Sequence, residues 1–303
     1  MKKLIIFLLQ KLYELKVALR DGSRAFFDFF YRAFTKPPIV AGVDETIDAI
    51  VKDKNSFARF GDGEIKLVSG IDISFQDATP FVVKKLREVL SSDDQGMMIG
   101  LPDAFLDRSR YNDDVNIYWK KHLARFRRVW YKYTRKGKKY YNASVTRQYI
   151  TLVDRSESED IYNRIKAIWD GRDVVLIEGE KTRMGVGNDL FDNVSSVRRI
   201  LGPAKQAFDR YDEILQEAKK QDKNVLFLLA LGPCATALAY DLHKAGYQAV
   251  DVGHIDVEYE WMKSGVKNKA PIKNKAVFEA GGIPDADTMD DPVYFSQIIA
   301  KII

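Results

Sequence analysis

The sequence predicts an α/β protein with a Rossmann-like, mostly parallel sheet flanked by helices, preceded by an N-terminal amphipathic helical segment. Residues 225–231 form a continuous apolar run, which is typical of a strand buried on both faces of a parallel sheet. The amphipathic stretch 235–245 ends at Gly246, a common residue after a helix C-terminus. A second short strand at 248–252 completes a βαβ unit, and this unit indicates the fold class.

Composition sets limits on the class of protein. The chain has 303 residues, of which 46% are hydrophobic and 30% charged, as in a globular protein with a full core. A net charge of +5 suits an anionic substrate, a membrane surface or a nucleic acid, and does not choose among them. Because Cys234 is the only cysteine, no disulfide can form within the chain, and we expect a cytoplasmic protein and a buried thiol.

The N-terminal segment is predicted to be a separate helical element, residues 1–36, before a single domain at 37–303. Leucines and phenylalanines recur at helical spacing between residues 4 and 34 and alternate with lysines and arginines. Such a helix can lie in the interface of an anionic membrane, or pack on the domain or on a second copy of the chain. The apolar run is too short for a transmembrane span, and the breaker Lys36-Pro37-Pro38 ends the segment.

The following elements are predicted in chain order. A helix at 45–52 precedes a short strand at 56–60, the stretch 79–141 is mostly helical, and a buried strand occupies 173–178. Between residues 118 and 139 aromatic and basic residues alternate. This pattern can bind single-stranded nucleic acid, but a buried aromatic stripe with a basic face, or binding of anionic lipid or of an acceptor, is the preferred interpretation.

The first candidate binding turn follows the strand at 56–60. Gly61 and Gly63 flank Asp62 and permit close approach of a ligand to the backbone at a helix start. Arg59 is a candidate for binding a phosphate, and Asp62 or Glu64 for binding a ribose hydroxyl or a base edge. The alternative is a glycine turn with a structural Arg–Asp pair.

The second candidate turn, residues 179–189, follows the strand at 173–178 and combines glycines with cationic side chains. It is a loop that can hold a diphosphate, although it lacks the ending of a Walker A loop. Its candidate residues are Lys181, Arg183, Gly185, Gly187, Asn188 and Asp189.

The third candidate region combines a helix start with acidic residues. Gly232 and Pro233 leave the start of the next helix, including Thr236, open to an anion. Further on, Asp256 and Glu258 are expected at a strand end, where an Asp-x-Glu pair can bind Mg²⁺ or Mn²⁺. The alternative is an exposed acidic strand end.

Together the three regions resemble a known family, the GT-D-type glycosyltransferases of bacterial surface-polysaccharide and glycoprotein assembly. The resemblance covers residues 44–279 and is carried by the motifs RFGDGE at 59–64, TRMGVGNDLF at 182–191, LGP at 231–233 and GHIDVEYEW at 253–261. It implies a Rossmann-like fold, a nucleoside-diphosphate sugar such as UDP-glucose as donor, and Mn²⁺ or Mg²⁺ bound by Asp256 and Glu258. His254 is expected near the reacting centre.

The function expected from this resemblance is transfer of a hexose from a UDP-sugar to a glycan, glycolipid or glycoprotein hydroxyl at the inner face of the plasma membrane. Two alternatives stay open. One is an NAD(P)-dependent oxidoreductase, because Asp251 lies about 20 residues after the Gly232 turn, as a ribose-binding acid does. The other is a non-catalytic, membrane-associated module of a polysaccharide assembly complex.

Overall fold

The computed structural model describes residues 2–281 and 290–303. Their helices are α1 (Lys2–Phe34), α2 (Val43–Lys52), α3 (Asp62–Val68), α4 (Pro80–Ser91), α5 (Asp113–Tyr133), α6 (Ser158–Lys166), α7 (Tyr211–Ala218), α8 (Pro233–Lys244), α9 (Ile255–Lys263) and α10 (Pro292–Gln297). Their strands are β1 (Ile39–Val40), β2 (Ser56–Arg59), β3 (Met97–Leu101), β4 (Lys139–Asn142), β5 (Asp173–Gly179), β6 (Ser196–Gly202), β7 (Leu226–Ala230), β8 (Gln248–Asp251) and β9 (Ile298–Lys301).

The described strands form one sheet in the order β1-β4-β3-β2-β8-β7-β5-β6-β9. Every pairing between neighbouring strands is parallel. The predicted α/β class and parallel sheet are therefore confirmed. In the centre, β2 from the first half of the chain lies beside β8 from the second half. The carboxyl ends of the strands from both halves therefore lie along the same edge of the sheet.

Two hydrophobic layers cover the sheet. Alternate strand residues such as Val175 and Phe227 pack with α3, α4, α5, α7 and α8 on one face. Their neighbours Val174 and Leu226 pack with α2, α6 and α9 on the other. Since successive side chains of a strand point to opposite faces, the continuous apolar runs supply both layers.

Two local details differ from the predictions. The stretch 79–141 is helical over more than half of its length, but it also contains the short strands β3 and β4, which were not predicted. Residues after β8 do not extend the strand either: the chain turns at Gly253 and begins α9 at Ile255. This second correction changes the geometry of the Asp-x-Glu pair.

The predicted N-terminal helix is present as α1, which packs on α5 near its C-terminal end. Asp28 accepts a hydrogen bond of 2.6 Å from Arg127, which is only 3% exposed, and Tyr31 lies against Tyr131. Much of the helix stays uncovered, and its exposed apolar residues include Leu9, Leu12, Leu19, Phe26 and Phe29. No helix in residues 2–281 or 290–303 is long and apolar enough to cross a membrane.

Candidate active site

A cavity of about 1030 Å³ opens at the carboxyl ends of the central strands. One side, here called the glycine half, is lined by residues that follow β7, β5 and β6, including Gly232, Lys181 and Lys205. The opposite side, the aromatic half, is lined by residues after β2 and β3, by Ala143 and Ser144 after β4, and by the first turns of α5. Residues after β8 lie between the halves, together with Arg147, which contacts His254. The cavity is therefore where ligands bind in open α/β sheets.

Arg59 is held in place inside the protein. Its guanidinium donates to Asp251 at 3.1 and 3.2 Å, to the Thr146 hydroxyl at 2.8 Å and to the Ala143 carbonyl at 3.1 Å. The pair joins β2 to β8, and the Thr236 hydroxyl donates to Asp251 as well. The structure thus contains a structural Arg–Asp pair, although the partner is Asp251 rather than Asp62.

Asp62 and Glu64 lie at the start of α3, and both line the cavity. Glu64 accepts a hydrogen bond of 2.7 Å from the Gly61 amide and so caps the helix. Burial, with the nearby charges of Asp251 and Asp62, raises the pKa of Glu64 to about 7. Asp62 accepts hydrogen bonds from Lys66, at 2.7 Å, and from Tyr118, and these lower its pKa although burial raises it.

A buried ion pair fixes the start of the second candidate loop. Arg199 on β6 donates to Glu178 at 2.5 Å and to the Met184 carbonyl at 2.9 Å, and Glu178 accepts from the Met184 amide at 2.7 Å. The loop after β5 therefore has a defined path. Lys181 lines the cavity, whereas Arg183 donates away from it, to the Asn274 carbonyl at 2.8 Å.

Residues 267–281, here called the strap, cross beside this loop. The Ala276 amide donates to the Lys181 carbonyl at 2.8 Å. Lys275 of the strap is 1% exposed, and its ammonium lies 2.7 Å from Asp256 and 3.1 Å from Glu260. The strap is therefore tied to the candidate site through its backbone and through a buried lysine.

The expectation that Asp256 and Glu258 lie at a strand end is wrong, because both lie in the first turns of α9. Helical residues two apart are about 200° apart around the axis and face opposite sides. Asp256 accepts from the Gly185 amide at 2.9 Å and from Asn188 at 2.8 Å. Glu260, one turn later, accepts from the same Asn188 at 2.8 Å, so Asp256 shares its face with Glu260 rather than Glu258.

Glu258 is fully buried on the other side of α9. Its Oε2 accepts a hydrogen bond of 3.0 Å from the Ile150 amide, and its Oε1 lies 3.8 Å from Arg147. Burial raises the pKa of Glu258, although the positive charge of Arg147 opposes the shift. The carboxylate does not line the cavity.

As a pair, Asp256 and Glu258 do not fit a shared divalent cation in this arrangement. They face apart, and the Lys275 ammonium already neutralises Asp256. Within residues 2–281 and 290–303 there is no group of three or more His, Cys, Asp or Glu side chains suited to a metal ion. The metal assignment stays a prediction from the resemblance.

His254 lies at the centre of the cavity wall, between the two halves. It contacts Arg147, and its Nδ1 is 3.2 Å from Glu279. Its packing in the cluster and the positive charge of Arg147 lower the pKa of His254, although the contact with Glu279 opposes the shift. Glu279 also pairs with Arg147 and, at 2.6 Å, with Lys269, so this cluster connects the segment after β4, the start of α9 and the strap.

Some of the remaining predicted residues line the cavity, and others lie outside it. Gly232 and Pro233 line the cavity at the start of α8, whereas Thr236 is fully buried and donates to the Arg59 carbonyl at 2.8 Å. Gly61 and Gly63 also line it. Gly185, Gly187, Asn188 and Asp189 lie outside the lining; Asp189 pairs with Lys166 at 3.2 Å.

Sequence reasoning missed Arg147, Lys275 and Tyr118 as members of the site. Arg147 lies 132 residues before Glu279 and 107 before His254, both of which it contacts, so no local spacing marks it. Tyr118 belongs to the run of aromatic and basic residues between 118 and 139. The sequence marked this run as a candidate binding surface but did not show that Tyr118 contacts Asp62 at the cavity.

The fold and the cavity define an enzyme of the open-sheet α/β class. A family model described as glycosyltransferase GT-D fold matches residues 57–280. The chain is 40% identical over 265 residues to glycosyltransferase GlyD of Streptococcus pneumoniae serotype 4 (strain ATCC BAA-334 / TIGR4), and 36% identical over 264 residues to a probable glycosyl transferase, Gly, of Streptococcus gordonii. The chain therefore belongs to the glycosyltransferases with the GT-D fold.

Solved structures agree with this assignment. One, described as a new glycosyltransferase (DUF1792) from Streptococcus sanguinis, is 36% identical with a TM-score of 0.85, over 88% of this chain and 100% of that one. Another, described as domain of unknown function 1792 with a distinct glycosyltransferase fold, has a TM-score of 0.84 at 36% identity and covers 88% and 96%. The alignments with the curated relatives cover 87% of this chain but only 32% and 39% of those proteins, so the chain spans between about a third and two fifths of their length.

Proposed function

We propose that this chain transfers a hexose from a UDP-sugar to a hydroxyl of a glycan, glycolipid or glycoprotein acceptor. The observation that carries the proposal is the composition of the glycine half, where Lys181 and Lys205 line the cavity beside the start of α8 at Gly232. The amides at a helix N-terminus and nearby ammonium groups bind anions such as a diphosphate.

In the proposed reaction the bond between the anomeric carbon and the diphosphate oxygen breaks, a bond between that carbon and the acceptor oxygen forms, and the acceptor hydroxyl releases its proton to water. Negative charge then develops on the leaving diphosphate. Cationic side chains fixed around those oxygens, with the positive end of the α8 dipole, stabilise this charge in the transition state. His254 and Arg147 lie between the two halves, so we assign them positions next to the transferred sugar.

Turnover with a panel of nucleotide sugars tests the donor assignment, with UDP release as the readout. We expect the highest turnover with UDP-hexoses, and Lys205→Gln should weaken UDP binding about tenfold because one ammonium near the diphosphate is lost. Lys220→Gln, at an exposed position just after α7, removes an equal charge and should leave UDP binding unchanged. Equal effects of the two substitutions would contradict the diphosphate position.

Dependence on Mn²⁺ or Mg²⁺ is part of the proposal on the strength of the resemblance. A diphosphate supplies many of the oxygen ligands of such an ion, so the ion can bind together with the donor. Calorimetry of UDP binding in Mn²⁺ and in EDTA tests this part alone. We expect tighter binding in Mn²⁺, and equal affinities would remove the metal from the proposed function.

The oxidoreductase alternative finds no support in the geometry. Both carboxylate oxygens of Asp251, the expected ribose-binding acid, accept hydrogen bonds from Arg59 or Thr236. This carboxylate is 3% exposed and is used within the protein.

We further propose that α1 lies on an anionic membrane surface, at the inner face of the plasma membrane. The helix carries seven lysines and arginines against three acids, and its exposed leucines and phenylalanines can enter a lipid interface. Association of two copies through the same helix is the competing arrangement.

A further inference from the structure

We propose that the aromatic half of the cavity is the acceptor subsite, and that it binds an uncharged sugar ring against Tyr118 and Trp119. This inference rests on the proposed function, since it assigns the second substrate of the same reaction. Transfer requires both substrates in one cavity, and a volume of about 1030 Å³ is at the upper end of the range for ligand pockets.

The first turns of α5 present one face to the cavity. The helix begins after Asn112, whose side chain caps it by accepting from the Val115 amide at 3.1 Å. Asp114, Tyr118 and Trp119 line the cavity from this end of the helix. The wall is therefore part of a rigid helix rather than a loop.

The two rings are fixed by their neighbours. Tyr118 stacks on His122 with centroids 6.0 Å apart, and Trp119 meets the same imidazole edge to face at 5.2 Å. His122 in turn contacts Phe126 at 4.8 Å. The Tyr118 hydroxyl donates to Asp62, so this ring is held at both ends while 43% of the residue stays exposed.

Charge in the aromatic half selects the kind of ligand. Asp62 and Asp114 line it, and Lys66 is engaged with Asp62. Carboxylates repel a diphosphate but accept hydrogen bonds from hydroxyl groups. A fixed aromatic face beside acceptors of this kind suits the C–H face and the hydroxyls of a neutral sugar.

The halves are also far enough apart for two ligands. From β7 to β3 the sheet passes through β8 and β2, which is three inter-strand steps or roughly 14 Å. A donor bound by its diphosphate in the glycine half extends its sugar towards His254 and Arg147 in the middle. An acceptor on Tyr118 and Trp119 reaches the same place from the other side.

Saturation-transfer NMR with lactose, a neutral disaccharide, tests binding without any reaction. The full chain should show lactose signals, and Trp119→Ala should reduce them, with acceptor affinity falling about tenfold. Phe295→Ala, at another exposed aromatic residue outside the cavity, is the matched control and should change nothing. Absence of lactose signals with the full chain would overturn the inference.

A second comparison tests the selection by charge. With UDP-glucose as donor, p-nitrophenyl β-glucoside should be a better acceptor than p-nitrophenyl β-glucuronide, by about tenfold in kcat/KM, because the carboxylates repel the glucuronide. Trp119→Ala should raise the acceptor KM. If Trp119→Ala instead weakens UDP binding, Tyr118 and Trp119 hold the nucleotide base and the inference fails. Lactose binding that depends on Trp119 without any UDP binding would refute the donor assignment alone.

Discussion

The ammonium of Lys275 lies 2.7 and 2.9 Å from the two carboxylate oxygens of Asp256, and both side chains are almost completely buried. The pair joins the strap to α9 at the level of the cavity. Since Asp256 also accepts from Gly185 and Asn188, one carboxylate connects the strap, α9 and the loop after β5. The arrangement of the site therefore depends on this ion pair.

Lys275→Met should lower the free energy of unfolding by about 3–5 kcal/mol, because it leaves the buried Asp256 carboxylate without its counter-charge. Lys273→Met, an exposed lysine of the same strap, is the control and should have little effect. The double variant Lys275→Met with Asp256→Asn should lose less than the sum of the single variants. Urea denaturation measures the stability of each variant, and strictly additive losses would contradict the pairing.

Glu64 should make stability depend on pH. Its pKa is raised from the usual 4.5 to about 7 by burial and by the nearby carboxylates Asp251 and Asp62. The folded chain therefore favours the neutral carboxyl, so this contribution to stability is complete below about pH 4.5 and is lost as the pH rises through 7.

Glu64→Gln keeps an oxygen for the Gly61 amide and removes the charge. We expect its melting temperature, relative to the unsubstituted chain, to rise between pH 5 and pH 8. Glu213→Gln, at an exposed position on α7, should show no such trend. A difference between Glu64→Gln and the unsubstituted chain that does not vary with pH would contradict the raised pKa.

Glycine is required at position 253 for two reasons. Its φ is +48°, and a Cβ there would lie 1.6 Å from the Arg59 guanidinium, which pairs with Asp251. Gly246 has a φ of +84°, but a Cβ there would meet no atom within 4 Å, so this position separates backbone strain from the clash. Gly246→Ala should cost about 1–2 kcal/mol of unfolding free energy, whereas Gly253→Ala should cost distinctly more and weaken UDP binding. Similar losses of unfolding free energy in the two variants would show that the Arg59 side chain moves away from the new Cβ at position 253 at little cost.

The sheet could be predicted where the strands are continuous apolar runs, as at β5 and β7. β3 was missed because five residues, MMIGL, between two helices are too few to show a period. Gly100 within it is needed for packing, since a Cβ there would lie 2.7 Å from the Phe57 ring, and nothing local reports this contact. A short strand between helices can therefore be identified only from the neighbouring strands with which it pairs in the folded sheet.

The candidate site was predicted correctly in its location but not in its pairings. The motifs mark the ends of β2, β5, β7 and β8, which the sheet order brings together. An Asp-x-Glu sequence fits a strand or the first turn of a helix equally well, and α9 decides which carboxylates share a face. Lys275, the partner of Asp256, and Arg147, which lies near Glu258, are brought to these carboxylates only by the tertiary fold.

A deletion that tests the role of α1 has to preserve the contact between α1 and α5. Removing residues 1–36 would also remove Asp28 and leave the buried Arg127 without its partner, whereas removing residues 1–20 keeps that pair. The shortened chain should no longer float with phosphatidylglycerol vesicles and should bind UDP as the full chain does. Vesicles of phosphatidylcholine alone are the control for the full chain, and they should retain much less of it.

A charge-only variant separates the membrane from self-association. Lys11, Lys16 and Arg20 are exposed, and replacing all three by glutamine should weaken binding to the anionic vesicles by about two orders of magnitude, since each cation contributes about 1 kcal/mol at such a surface. The apolar face is unchanged in this variant, so a dimer formed through leucines and phenylalanines would persist. If the shortened chain floats as well as the full chain, or if light scattering shows a dimer that only the 1–20 deletion dissolves, α1 is an oligomerisation helix and the membrane proposal is wrong.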